Sequence, residues 1–126
     1  MADLVRVAWY ATVLRQDSFA AEVARVAPVV LRYGATEYRV HVDNDDRYKI
    51  SQLTWMPDHE SWYAYWEGPE LIEFRARYLG KYQIPITYSW VTEIAVGGRD
   101  AEVSREYEEV GPDLENEPTM SATDSF

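Results

Sequence analysis

The chain divides at Gly97-Gly98 into two stretches of very different composition. Residues 1–98 contain all five tryptophans, whereas residues 99–126 contain nine acidic side chains against two basic ones. The second stretch therefore carries −7 of the formal net charge of −10. A short segment with this charge buries too little apolar surface to fold by itself. The sequence predicts one aromatic-rich domain over 1–98, followed by an acidic C-terminal arm over 99–126.

Composition excludes several classes of protein. The chain has no cysteine, so disulfides, thiolate metal sites and cysteine nucleophiles are excluded. No apolar run approaches the roughly 20 residues of a membrane span, and the first residues do not resemble a secretion signal. We therefore expect a protein of the cytoplasm or of an assembled particle. The acidic balance argues against direct binding to nucleic acid.

Apolar periodicity predicts the order strand, helix, strand, strand, helix, strand. Short polar residues, Asp17 or Ser18 and then Asp58, are suited to begin the two helical regions. Pro28 should interrupt the first helical region, and Gly68-Pro69 should divide the second. The predicted strands cover 4–14, 38–42, 48–56 and 84–94, and the predicted helical segments cover 18–34, 58–67 and 69–79.

This order predicts an α+β ferredoxin-like βαββαβ fold, with a four-stranded antiparallel sheet and helices on one face. The other face would then be aromatic and would need a cover. We expect Tyr88 and Trp90 on that uncovered face, together with Leu53, Trp55 and one of Trp9 or Tyr10. A homo-oligomer that pairs sheet against sheet is the simplest cover.

The segment LTWMPDHESWYAYW, residues 53–66, is similar to the third strand and second helix of the dimeric α/β-barrel proteins of the antibiotic-biosynthesis-monooxygenase type. The resemblance covers about residues 4–96 and implies a ferredoxin-like fold that often dimerises. It also implies, for some members, oxidation of quinol-type aromatic substrates without metal or flavin. Oxidising members place Asn and Trp, with His, Tyr or Arg, around the substrate. Here the only asparagines are Asn44, in a predicted turn, and Asn116, in the arm.

The aromatic side chains of this segment are the candidate functional residues. A ligand pocket is predicted from Trp55, Trp62, Tyr63 and Trp66, and a catalytic set, if there is one, from Trp66, His59 and Tyr63. The alternative is that these side chains form core and interface, because Trp and Tyr dominate both. Neither a metal nor an organic cofactor is expected. His41 and His59 are far apart in sequence, and no phosphate or nucleotide motif occurs.

Spaced apolar residues in the arm suggest docking on a partner. Tyr107, Leu114, Met120 and Phe126 are the predicted anchors, and the surface that receives them should be basic or apolar. From the arm and the missing catalytic asparagine, the sequence favours a non-enzymatic structural subunit of a larger assembly, such as a virion. The alternative is a cofactor-independent monooxygenase or a small protein that binds aromatic ligands.

Overall fold

The structure, a computed structural model, describes residues 3–104 and residue 106. Contacts between residues divide the chain into two units, Met1–Ile94 and Ala95–Phe126. Of the second unit, the described part holds a turn in which Ala101 N donates to Gly98 O at 3.0 Å. The predicted anchors Tyr107, Leu114, Met120 and Phe126 lie outside the described residues. The boundary between domain and arm therefore stays a prediction.

One antiparallel sheet and three α-helices make up the first unit. The strands are β1 (Asp3–Tyr10), β2 (Glu37–Val42), β3 (Lys49–Met56) and β4 (Thr87–Val91), and they pair in the order β2-β3-β1-β4. The helices are α1 (Gln16–Val26), α2 (His59–Trp66) and α3 (Pro69–Arg77), with a 3₁₀ helix over Ala27–Tyr33. The predicted α+β ferredoxin-like fold is confirmed. No helix in the described part of the chain is long and apolar enough to cross a membrane.

Proline and glycine break the first helical region where the sequence predicts. Helix α1 ends at Val26, and Pro28 stands in the first turn of the 3₁₀ helix that follows. Gly34 ends that helix with φ of 97°, a backbone conformation that side chains with a Cβ rarely adopt. A Cβ at this position would also lie 3.1 Å from Pro57 Cγ. Glycine at position 34 therefore serves both the turn and the close packing of the β3–α2 connection.

Alternation along the strands separates an inner face, under the helices, from an outer face. On β3 the residues Ile50, Gln52, Thr54 and Met56 are buried, and the residues between them are half-buried. On β1 the buried inner residues are Val5, Val7 and Trp9. Side chains on neighbouring strands meet on the same face, so the core lies between this inner face and the helices.

The register of β4 corrects one prediction. Trp90 pairs with Val5 and Tyr88 pairs with Val7, both of which face the helices. Because paired residues share a face of the sheet, Tyr88 and Trp90 pack against α2 rather than on the uncovered side. The expectation that Tyr88 and Trp90 lie on the uncovered face is wrong. Leu53, Trp55 and Tyr10 do lie on the outer face, and a homo-oligomer through that face stays a prediction.

Candidate aromatic-ligand site

Helix α2 carries most of the aromatic side chains that the sequence singles out. Asp58 begins the helix, because its carboxylate accepts a hydrogen bond from Ser61 N at 2.7 Å. The same hydrogen bond lowers the pKa of Asp58. From this start, Trp62, Tyr65 and Trp66 fall on the helix face that packs on the sheet, and all three are buried.

Five aromatic rings meet between α2 and the sheet, and we call them the aromatic cluster: Trp9, Trp62, Trp66, Tyr88 and Trp90. Trp62 and Trp66 stack with ring centroids 5.5 Å apart, and Tyr88 meets both edge-on at 5.3 and 5.4 Å. Trp9 lies 5.6 Å from Trp66. Such contacts contribute about 0.5–1.5 kcal/mol each beyond the burial of their surface.

One fully buried indole N–H in this cluster lacks an acceptor among the residues that the structure describes. It belongs to Trp62, which is fully buried, and whose Nε1 forms no hydrogen bond with any group in the described part of the chain. By contrast, Trp9 Nε1 donates to Gln52 Oε1 at 3.3 Å. An unpaired buried donor costs free energy, so the Trp62 N–H marks a place where an acceptor atom would be stabilised.

A buried polar network lies beside the cluster, and sequence reasoning missed it. Gln52 Nε2 donates to Tyr65 Oη at 3.2 Å and to Thr54 Oγ1 at 3.4 Å. Burial raises the pKa of Tyr65 to about 12, so its hydroxyl stays protonated at neutral pH. The available signal was the two-residue period of β3, since Gln52 and Thr54 stand between the apolar residues Ile50 and Met56.

At the surface end of the cluster, which we call the rim, His59 lies flat on Trp90. Their ring centroids are 3.7 Å apart and the planes differ by 20°. The side chain of His59 is 54% exposed, and its Nε2 lies 3.5 Å from Asp3 Oδ2. Tyr63, 45% exposed, meets Trp90 edge-on at 6.2 Å. The rim therefore offers a flat aromatic surface, the Trp90 indole, beside an imidazole that is exposed to water.

The structure does not bring Trp55 to this cluster. Trp55 belongs to the outer face of β3, where the guanidinium of Arg39 lies 5.7 Å from its ring centroid. The sheet itself separates Trp55 from Trp62 and Trp66. Of the predicted pocket residues, α2 brings Trp62 and Trp66 together inside, and Tyr63 reaches the rim.

Arg75 supports the cluster from α3. Its guanidinium carbon lies 4.4 Å from the Trp66 ring centroid, and Nη1 donates to the Trp66 carbonyl at 2.9 Å. That carbonyl lies in the last turn of α2, where backbone acceptors lack helical partners. Arg75 therefore packs on the Trp66 ring and donates a hydrogen bond to the last turn of α2.

A concave feature lies between α1 and α3. It is a groove of about 250 Å³, and the residues that line it include Glu22, Arg25, Val26, Glu73, Phe74 and Arg77. Of the predicted site residues that the structure describes, none lines this groove. Among the described residues, no three His, Asp or Glu side chains are grouped so as to hold a metal ion.

The comparisons with known proteins concern the fold. No protein-family model matches the sequence, and no curated protein does either. Solved structures do match. A provisionally named antibiotic biosynthesis monooxygenase from Nitrosomonas europaea is 11% identical with a TM-score of 0.66, over 77% of this chain and 94% of that one. A similarly named protein from Bordetella bronchiseptica is 12% identical with a TM-score of 0.66, over 75% and 98%.

A third neighbour is described as a cofactor-independent oxygenase. It is a mutant form of SnoaB from Streptomyces nogalater, 13% identical with a TM-score of 0.61, over 75% of this chain and 95% of that one. This chain has the antibiotic-biosynthesis-monooxygenase fold. The predicted resemblance is thereby confirmed for the fold.

The same neighbours correct the functional prediction. The expectation of a non-enzymatic structural subunit, such as a virion component, is wrong, because the matching structures include proteins named as antibiotic biosynthesis monooxygenases and a cofactor-independent oxygenase. That expectation relied on the acidic arm and on the missing asparagine. The missing asparagine remains a difference between this domain and the oxidising members, since Asn44 is the only asparagine in residues 1–98.

Proposed function

We propose that this protein binds a planar phenolic molecule at the rim of the aromatic cluster and oxidises it with dioxygen, without a cofactor. One observation carries the proposal: the exposed imidazole of His59 is stacked on the indole of Trp90 at the surface end of the aromatic cluster. The fold shared with a cofactor-independent oxygenase supports the choice of reaction.

Trp90 supplies the binding surface. The imidazole of His59 already shows that a flat ring fits against this indole at 3.7 Å. A phenolic ring of the substrate replaces the imidazole there, with Tyr63 packed against its edge. Aromatic contacts of this kind add to the free energy gained by removing both rings from water.

His59, displaced from the indole but still beside it, acts as the base. In the stacked position Asp3 Oδ2 lies 3.5 Å from Nε2, and a proton held on Nε2 leaves Nδ1 as the acceptor. Nδ1 takes the phenolic proton, and the resulting phenolate is electron-rich enough to reduce dioxygen.

The substrate supplies all the electrons of this reaction. One atom of dioxygen becomes a carbonyl oxygen on a ring carbon, and the other atom leaves as water. The two hydrogens of that water come from the same ring carbon and from the phenolic hydroxyl, so a quinone is formed. The protein therefore has to bind, orient and deprotonate its substrate, and no reductant is consumed.

Oxygen consumption with a panel of polycyclic phenols and quinols tests the proposal. The decisive variant is His59→Gln, and its matched control is His41→Gln, because His41 is an exposed histidine on the outer face of β2. We expect turnover by the wild type and by His41→Gln, and a loss of roughly 100-fold or more in His59→Gln. Binding of the panel without oxygen consumption would leave an aromatic-ligand-binding protein. Absence of both binding and turnover would contradict the proposal.

A further inference from the structure

The groove between α1 and α3 has charged walls and an apolar floor. Val26 and Phe74 supply apolar surface, and Tyr78 lies beside Phe74 with ring centroids 4.9 Å apart. Its volume of about 250 Å³ is below the roughly 300–1,000 Å³ of pockets for drug-sized ligands. The groove therefore suits a small molecule that has one apolar part.

Two of the three acidic side chains that line the groove are less exposed than the basic ones, whereas Glu73, at 64%, is as exposed as Arg77. The side chain of Glu22 is 19% exposed, whereas that of its partner Arg25 is 72% exposed. The side chain of Arg77 is 63% exposed. The carboxylate of Glu22, which lines the groove, is therefore more shielded from water than the guanidinium groups of Arg25 and Arg77.

The opposite wall also presents a half-buried carboxylate. The side chain of Glu70 is 28% exposed, and the hydroxyl of Tyr33 donates to its Oε1 at 2.7 Å. This hydrogen bond lowers the pKa of Glu70 below the ordinary glutamate value of 4.5, at which the carboxylate is already ionised at neutral pH. Glu73, on the same helix, pairs with Arg77.

The carboxylate of Glu22 retains capacity for another donor. Both of its oxygens contact a single nitrogen, Arg25 Nη1. An ionised carboxylate accepts about four hydrogen bonds, so Glu22 can bind an ammonium group in addition to Arg25. Exposed ion pairs contribute little to stability, so a shift of Arg25 towards water would cost little.

We propose that this groove is a binding site for a small arylalkyl amine, with the ammonium group on Glu22 and the ring on Phe74 and Val26. The site shares no residue with the aromatic cluster, although Phe74 meets Trp9 edge-on at 5.7 Å, and the proposal does not depend on the oxidation proposed above. Chemical complementarity carries it: the carboxylates of Glu22 and Glu70 are less exposed than the guanidinium groups of Arg25 and Arg77, and apolar surface lies beside them.

Titration of the full-length protein with three probes tests the proposal. The probes are 2-phenylethylamine, 2-phenylethanol and 3-phenylpropionate, which share a phenyl ring and differ in the charge of the polar end. Binding is followed by NMR of the methyl and aromatic groups. We expect shifts at Val26 and Phe74, and an affinity for the amine at least tenfold above that for the alcohol and the carboxylate.

Two variants distinguish the effect of the Glu22 carboxylate on binding from the effect of its ion pair with Arg25. Glu22→Gln and Arg25→Gln both abolish the Glu22–Arg25 pair, but only the first removes the carboxylate. We expect Glu22→Gln to weaken amine binding at least tenfold, and Arg25→Gln to leave it unchanged or tighter. The proposal is overturned if the amine does not bind, if the carboxylate binds as well as the amine, if both variants weaken binding equally, or if the shifts fall on Trp62 and Trp90 instead.

Discussion

The imidazole of His59 and the indole of Trp90 form a parallel stack, with ring centroids 3.7 Å apart, at the water-exposed end of an otherwise buried aromatic cluster. The two residues come from α2 and β4, on either side of the connection through α3. A flat surface that is occupied by a partly exposed side chain is open to a competing flat ligand.

Replacement of Trp90 tests this stack directly. We expect Trp90→Phe to retain binding of a planar phenol and Trp90→Leu to weaken it by about tenfold, because only an aromatic ring offers a stacking face. Quenching of tryptophan fluorescence during a ligand titration measures the affinity. Equal affinity in the two variants would show that the ligand does not stack on residue 90.

Replacement of Gln52 should destabilise the fold. Gln52→Leu leaves Trp9 Nε1 without its acceptor and removes the donor to Tyr65, so we expect a loss of about 1–3 kcal/mol in the free energy of unfolding. Urea denaturation measures this loss in the free energy of unfolding. Thr54→Val is the control, since it removes only the 3.4 Å contact from Gln52 and should cost less. A larger loss of unfolding free energy in Thr54→Val than in Gln52→Leu would contradict the hydrogen-bond network centred on Gln52.

The high pKa of Tyr65 predicts a loss of stability in alkali. Its pKa rises from 10 in the unfolded chain to about 12 in the fold, so the unfolded chain releases this proton first. The free energy of unfolding should therefore be unaffected below pH 10 and fall between pH 10 and 12, by roughly 2–3 kcal/mol for this group. Unfolding by urea at several pH values, in the wild type and in Tyr65→Phe, measures it. The variant should show the shallower fall, and identical falls would contradict the burial of the hydroxyl.

The cap of α2 should show the opposite pH dependence. The hydrogen bond from Ser61 lowers the pKa of Asp58, so its stabilising contribution is present above the ordinary carboxyl pKa of 3.8 and is lost as the pH falls below it. We expect Asp58→Ala to melt several degrees below the wild type at pH 7, with a smaller difference at low pH. Thermal unfolding followed by circular dichroism measures the difference in melting temperature at each pH. Asp58→Asn keeps an acceptor for Ser61 N and should melt close to the wild type at neutral pH.

The order of elements and their breaks could be predicted from the sequence because their causes are local. Asp58 begins α2 through a contact three residues away, and Gly34 ends the 3₁₀ helix through its own backbone conformation. Pro28 excludes a continuous α-helix because proline has no backbone N–H. Each of these signals acts within one turn of chain, so neighbouring residues suffice to predict it.

The composition of the site was decided by tertiary structure. Trp55 and Trp62 are close in sequence, but β3 turns Trp55 to the outer face while α2 buries Trp62 on the inner one. Trp90 joins the inner side because β4 pairs with β1 in the register that sets it opposite Val5. A shift of one residue in that register would have reversed its face, and local sequence does not encode which strand a distant strand will join.

The sequence by itself therefore determined an aromatic α+β domain of ferredoxin-like topology with a strongly acidic C-terminal segment. Only the tertiary structure decided which aromatic rings meet, that Gln52 pairs with Trp9 across 43 residues of chain, and that a charged groove forms between α1 and α3. The physical reason is the distance along the chain over which each kind of contact acts. Helix caps and turns depend on bonds between near neighbours, whereas a binding surface depends on long-range packing, in which the two faces of a strand are equivalent until another strand pairs with it.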